Sequence, residues 1–272
     1  MLPPLKQAWP DPWPNTPDGV RLWRLTDPYD RYFKNRADIV EALFNRDAHS
    51  IDATALATVA LGSLATYRFA DVPLSTAADQ RRFRMLMEQH CPTFVNRVSI
   101  SEMLQHARTE KHLASFEEVI LRRFPLERLR VARQVSEDPL ARDFNHWADK
   151  QTPRIPKDLR FYDYAACIFR LYRNSVIHEL RPARGKDVQY LGPDDPVQHP
   201  IFYANRGAIA GPQGDDDPVV YTRFGIYPPY LLTLLQEALT SLRAWAIAND
   251  RDIFEHVPQA YRKKKLKGQS VR

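Results

Sequence analysis

The stretch FRLYRNSVIHELRP, Phe169 to Pro182, brings together three side chains that could do chemistry: Arg173, Asn174 and His178. An imidazole titrating near neutrality can take up and return a proton. A guanidinium can hold phosphate oxygens through a fork of charge-assisted hydrogen bonds. An amide can orient the imidazole or bind substrate. The combination suits acid–base work beside a phosphate. On an α-helix Asn174 and His178 are i, i+4 neighbours on one face. Arg173 lies about 100° round from Asn174 and reaches back across the groove with its long side chain. The plain alternative is a local Asn174–His178 hydrogen bond, with Arg173 paired to a surface acid.

Spacing alone does not choose between these readings. The chain has 29 arginines and 8 histidines, and in three places an Arg precedes a His with four to six residues between them: Arg84 and His90, Arg173 and His178, and Arg251 and His256. Chance placement gives about as many. Sequence context separates them. Arg84 to His90 spans MLMEQ, whose Met and Leu residues read as core, and Arg251 to His256 falls at a fraying helix end. Only Arg173 is followed at once by Asn.

The elements that would position this cluster are helical. The segment from Ile155 to Pro182 carries an apolar stripe at Phe161, Tyr164, Ala165, Ile168, Leu171, Tyr172, Ser175 and Val176, the i, i+3, i+4, i+7 repeat, and Pro182 ends it. Upstream, YDRYFKNRADIVEALFNRD reads as one helix. SIDATALATVALGSLATYRF reads as a second, capped by Ser50 and apolar nearly all round, hence central and buried. Its small residues Ala57, Ala60, Gly62, Ser63 and Ala65 would let another helix approach closely. Further helices are expected over TAADQRRFRMLMEQH and near DPLARDFNHWADK. Two more open with capping boxes, at Ser99 with Glu102 and at Ser115 with Glu118, and Pro125 should break the second. Between about 187 and 227, short β-branched and aromatic runs between Pro, Gly and Asp clusters predict a β-hairpin or small irregular insert. A long last helix follows in YLLTLLQEALTSLRAWAIAND. Residues 1–27, rich in proline and tryptophan, read as an extended arm packing its aromatics on the body. The expected organisation is that arm, one helical domain over 28–256 and a basic tail over 257–272. The fold class is all-α with a small β-hairpin insert before the last long helix.

The form R-N-x-x-x-H at Arg173, Asn174 and His178, after an aromatic-rich apolar stripe and near a helix end, resembles the signature of the HEPN superfamily. The small-residue helix over 50–70 resembles the family helix that packs on the motif helix. The resemblance implies a HEPN-like helical bundle with extra N-terminal helices and a metal-independent endoribonuclease cutting single-stranded RNA, as in bacterial antiviral defence or toxin-type systems. It also implies a homodimer bringing two motif copies into one composite R-x4-H cleft, products ending in a 2′,3′-cyclic phosphate, and no metal or other cofactor. Arg173 would hold phosphate, His178 would transfer the proton and Asn174 would support either. The alternative is a non-catalytic HEPN-like module binding RNA or protein in a larger assembly. One departure matters: family toxins controlled by adenylylation carry a Tyr two positions after the His, and here that position is Leu180. That mode of control is not expected.

Composition is compatible with this picture. The chain has 272 residues, 44% hydrophobic and 26% charged, enough for a sizeable core. Its net charge is +6, and the tail alone holds six cations: Arg262, Lys263, Lys264, Lys265, Lys267 and Arg272. Lys263, Lys264 and Lys265, with Arg181 and Arg184 beyond the motif, are the candidate nucleic-acid contacts. A solvated tail end is the competing reading. Cys91 and Cys167 read as buried free thiols, and Cys91 with His106 and His112 does not match zinc spacing. Asp215, Asp216 and Asp217 lack the ligand alternation of a calcium loop. No P-loop, G-x-G-x-x-G or G-x-S-x-G motif occurs. With neither a secretory h-region at the start nor a run of roughly 20 apolar residues, the chain reads as cytoplasmic, with a regulatory protein as a further partner and no membrane.

Overall fold

A computed structural model describes residues 17–72, 78–124, 138–151, 155–156, 159, 162–174, 200–209 and 219–252. Most of them are helical, and a two-stranded antiparallel sheet is the one sheet among them. Helix α1 (Pro17–Asp27) runs into a π-helical stretch, Pro28–Phe33, and on into α2 (Lys34–Arg46). The widening has a local cause: Pro28 has no N–H for the α-helical ladder, and a π-bulge absorbs the missing bond. Then follow α3 (Ile51–Arg68), α4 (Ala78–His90), α5 (Ile100–Thr109), a short 3₁₀ turn (Lys111–Leu113) and α6 (Ala114–Arg123). After these come α7 (Ala141–Asp149), α8 (Tyr164–Ile168) with a π turn at Phe169–Asn174, strands β1 (Ile201–Ile209) and β2 (Val219–Ile226), and α9 (Tyr230–Asn249). Among the described residues no helix is long and apolar enough to cross a membrane.

The small-residue helix packs centrally along one face, but it is not buried all round: Ile51, Leu56 and Val59 on it are exposed. Ala53, Ala57, Ala60, Leu61, Leu64 and Ala65 of α3 are buried, and α2, α4, α9 and the π turn after α8 all pack on it. Each large side chain brought into that core, such as Phe33, Phe83 or Leu86, contributes roughly 1.5–3 kcal/mol. Ser50 caps α3 as expected, its Oγ accepting from the Ala53 N–H at 3.2 Å. Helix α9 ends at Asp250, which adopts the left-handed conformation at φ 51°.

Three sequence expectations fail, each for a physical reason. The extended arm does not hold over 17–27, which form α1: Pro17 sits at the first helical position, where its missing N–H costs nothing. Trp23 on that helix is 44% exposed and so is not packed on the body. The box at Ser115 is not a cap, because the 3₁₀ turn leads the chain into α6 one residue earlier, at Ala114. The box at Ser99 is half used. Its Oγ accepts from the Glu102 N–H, but the Ser99 N–H donates to the Tyr162 carbonyl and the Glu102 carboxylate accepts from the Phe224 N–H of β2 at 2.8 Å.

That last contact belongs to a clamp holding the hairpin. Ile201 pairs with Ile226 and Asn205 with Thr222, with a register irregularity between Asn205 and Ala208. Tyr203 on β1 donates to Asp138, which also accepts from Tyr164 at 2.8 Å, and Tyr203 lies 2.9 Å from Ser99 Oγ. Tyr172 Oη accepts from the Ile226 N–H at 3.0 Å. Gly225 faces the Phe202 ring so closely that a Cβ there would overlap it at 2.6 Å. Burial and the Asp138 charge push both phenols, Tyr164 and Tyr203, well up, so they stay protonated donors.

Candidate functional site

The motif helix starts at Asp163. Its carboxylate accepts from the Ala166 N–H at 3.0 Å, the ordinary N-cap bond, and it is 2% exposed. Arg84 of α4 reaches it with Nη2 2.6 Å from Oδ2. Burial pushes the Asp163 carboxyl up, while the Arg84 charge and the cap N–H act to hold it ionised. An Asp just before the apolar run at Tyr164–Ile168 is the cap signature that could have located this start from sequence. Nothing local in the sequence signals its Arg84 partner.

From Phe169 to Asn174 the helix becomes a π turn. FRLYRN holds no proline or glycine, so the cause found at Pro28 is absent here. Phe169 is buried and meets Phe83 of α4 edge to face at 5.5 Å. Arg170 lies over the Tyr162 ring at 4.3 Å. Arg173 is half-buried, its Cζ 4.9 Å from the Phe169 ring centre. Its Nε lies 3.6 Å from where a Cβ on Gly62 would stand. The motif arginine therefore rests on the small-residue face of α3, as the alanine- and glycine-rich sequence of that helix anticipates.

Of the candidate residues, Arg173 is placed in full. Asn174 closes the π turn, and its side chain lies outside the description. His178, Arg181, Arg184, Lys263, Lys264 and Lys265 lie outside the described residues, as do Asp215, Asp216 and Asp217. The competing pair is placed: Arg84 is bound to Asp163, and His90 is 5% exposed with Nδ1 2.9 Å from Ser241 Oγ of α9. The reading of that stretch as core holds at His90, Leu86 and Met87, while Arg84 is part-exposed. Cys91 and Cys167 are free and buried. Burial pushes the Cys91 thiol far up, leaving it unreactive. Among the described residues no group of three or more His, Cys, Asp or Glu is placed to hold a metal ion.

No protein-family model, curated protein or solved structure matches the chain.

Proposed function

We propose that the chain is a HEPN-like, metal-independent endoribonuclease acting on single-stranded RNA through Arg173, Asn174 and His178. The observation that carries this reading is the π turn at Phe169–Asn174. It forms without a proline or glycine to require it, and such turns concentrate at functional sites. It seats Arg173, half-buried as a residue, against the small-residue face of α3.

In the proposed mechanism His178 removes the 2′-hydroxyl proton, which lets that oxygen attack the adjacent phosphorus. Arg173 holds the phosphorane oxygens while charge builds on them. The 5′-oxygen leaves with a proton returned from an imidazolium, and the product ends in a 2′,3′-cyclic phosphate. No step draws on a metal. The homodimer supplying two motif copies, Arg181 and Arg184 as further RNA contacts, Lys263, Lys264 and Lys265 on the backbone phosphates, and a role in bacterial defence belong to the same reading.

The test is cleavage of end-labelled single-stranded RNA in excess EDTA by wild type, Arg173→Ala, His178→Ala and His112→Ala, a histidine whose side chain is 68% exposed. The reading expects activity in wild type and His112→Ala and its loss in the other two. A protein inert on all RNAs, with RNA affinity unaffected by His178→Ala, is instead a HEPN-like binding module.

A further inference from the structure

The π turn under Arg173 has no proline or glycine to explain it, and the β-hairpin supplies a cause. Two buried tyrosines of the motif helix both reach strand β2. Tyr164 has its ring 5.2 Å from that of Phe224 and its Oη 2.8 Å from Asp138. Tyr172 Oη accepts from the Ile226 N–H at 3.0 Å. Phe224 and Ile226 stand two apart on one strand, so their N–H groups leave the hairpin by the same edge. The Tyr227 N–H, one residue on, turns the other way and donates to the Pro200 carbonyl. Helical side chains take the edge at both positions: Glu102 of α5 accepts from Phe224 and Tyr172 from Ile226.

A straight α-helix would splay the two phenols. Eight steps of about 100° overshoot two full turns, leaving positions 164 and 172 about 80° apart. A π turn winds less per residue and closes much of that angle, so both rings can face one strand. Arg173 follows Tyr172 directly, and the bond that aims one side chain therefore aims the next. With Tyr172 turned to Ile226, Arg173 points roughly a quarter turn on. There its Cζ lies 4.9 Å from the Phe169 ring centre and its Nε 3.6 Å from where a Cβ on Gly62 would stand.

We propose that the β-hairpin holds the motif helix in π register, and that Tyr172 is the positioning residue through which it aims Arg173. This rests on the reading of Arg173 as the phosphate-holding group and adds the element that controls it. Without the Tyr172–Ile226 bond the turn relaxes towards α spacing, and Arg173 leaves Phe169 and the Gly62 face. Whatever lifts β2 from Glu102 and Tyr172 also misaims the guanidinium.

The test compares Tyr172→Phe, which removes only a hydroxyl, with Ser241→Ala, which removes the His90 bond on α9. Gly225→Ala is a second probe, because its Cβ overlaps the Phe202 ring and disturbs β2 between the two edge bonds. The first readout is the Arg173 Nε–H proton resonance, shifted by the Phe169 ring and identified by its loss in Arg173→Lys. Tyr172→Phe and Gly225→Ala should each move it towards the position of a solvated arginine. In both, kcat for RNA cleavage should fall about tenfold, the scale of one lost hydrogen bond, with KM little changed. Ser241→Ala should alter neither readout. An unmoved resonance in a folded Tyr172→Phe or Gly225→Ala overturns the proposal. An equal shift in Ser241→Ala marks general loosening and overturns it too. A wild type inert on RNA would overturn the ribonuclease reading instead, and the resonance would still decide this one.

Discussion

Two regions carry the same sequence pattern, an arginine followed a few residues later by a histidine, and the fold treats them differently. Arg84 is consumed: its guanidinium pairs with a nearly inaccessible Asp163 that also caps the motif helix. His90 is packed inside and bonded to Ser241. Arg173 instead lies half-exposed over Phe169, against a helix face stripped to small residues. The first pair holds α4 to α8 and α9, and the second sets its arginine between Phe169 and α3. Two part-exposed arginines of similar spacing thus sit in different settings, one on a buried carboxylate and the other over an aromatic ring, and sequence spacing does not tell them apart.

The sharpest break in that comparison is removal of Asp163. Asp163→Ala leaves the Arg84 charge without its carboxylate and opens the cap, and should cost about 3–5 kcal/mol in urea unfolding. Arg173→Ala should cost about 1 kcal/mol or less from its contact with Phe169, while cleavage falls. Comparable stability losses in the two variants would erase the distinction.

Acid sharpens the same contrast through His90. Burial, with the Arg68 charge second, lowers its pKa from 6.5 to about 4. Between those values the unfolded chain binds more protons than the folded one, so stability falls as pH drops from 6.5 towards 4. Above 6.5 His90 contributes no pH dependence. A His90→Gln variant should lose that component of the slope, read by denaturant unfolding at pH 7 and pH 5. The smallest effect is expected at Gly62. A Cβ there meets Arg173 Nε at an ordinary 3.6 Å, so Gly62→Ala should gain up to about 1 kcal/mol from helix propensity and leave activity unchanged. A large loss of either would mean that Arg173 needs a closer approach to α3.

Much of the fold was legible because its signals are local. The Ser50 cap, the small residues of α3, the hairpin before the last helix and the length of α9 each follow from neighbouring residues. What failed was decided from afar or by one residue's position. Pro17 reads as a breaker until it is known to be the first helical residue. Glu102 reads as half of a capping box, but Phe224 of β2 takes its carboxylate. The partnership of Arg84 with Asp163 and the meeting of Tyr203, Tyr164 and Ser99 around Asp138 are set only when the chain closes on itself. At the candidate site the residue types and the small-residue helix were readable, whereas the π turn was not, since FRLYRN has the period of an ordinary helix.

The central claim is a transesterification by Arg173 and His178 without a metal. Its most direct measurement uses one end-labelled RNA in excess EDTA, beside the same RNA carrying a single 2′-deoxynucleotide at the cut position. Wild type should cut the first, leave a 2′,3′-cyclic phosphate and spare the second, and His178→Ala should cut neither. Cleavage at the 2′-deoxy position, or undiminished cleavage by His178→Ala, would contradict the account.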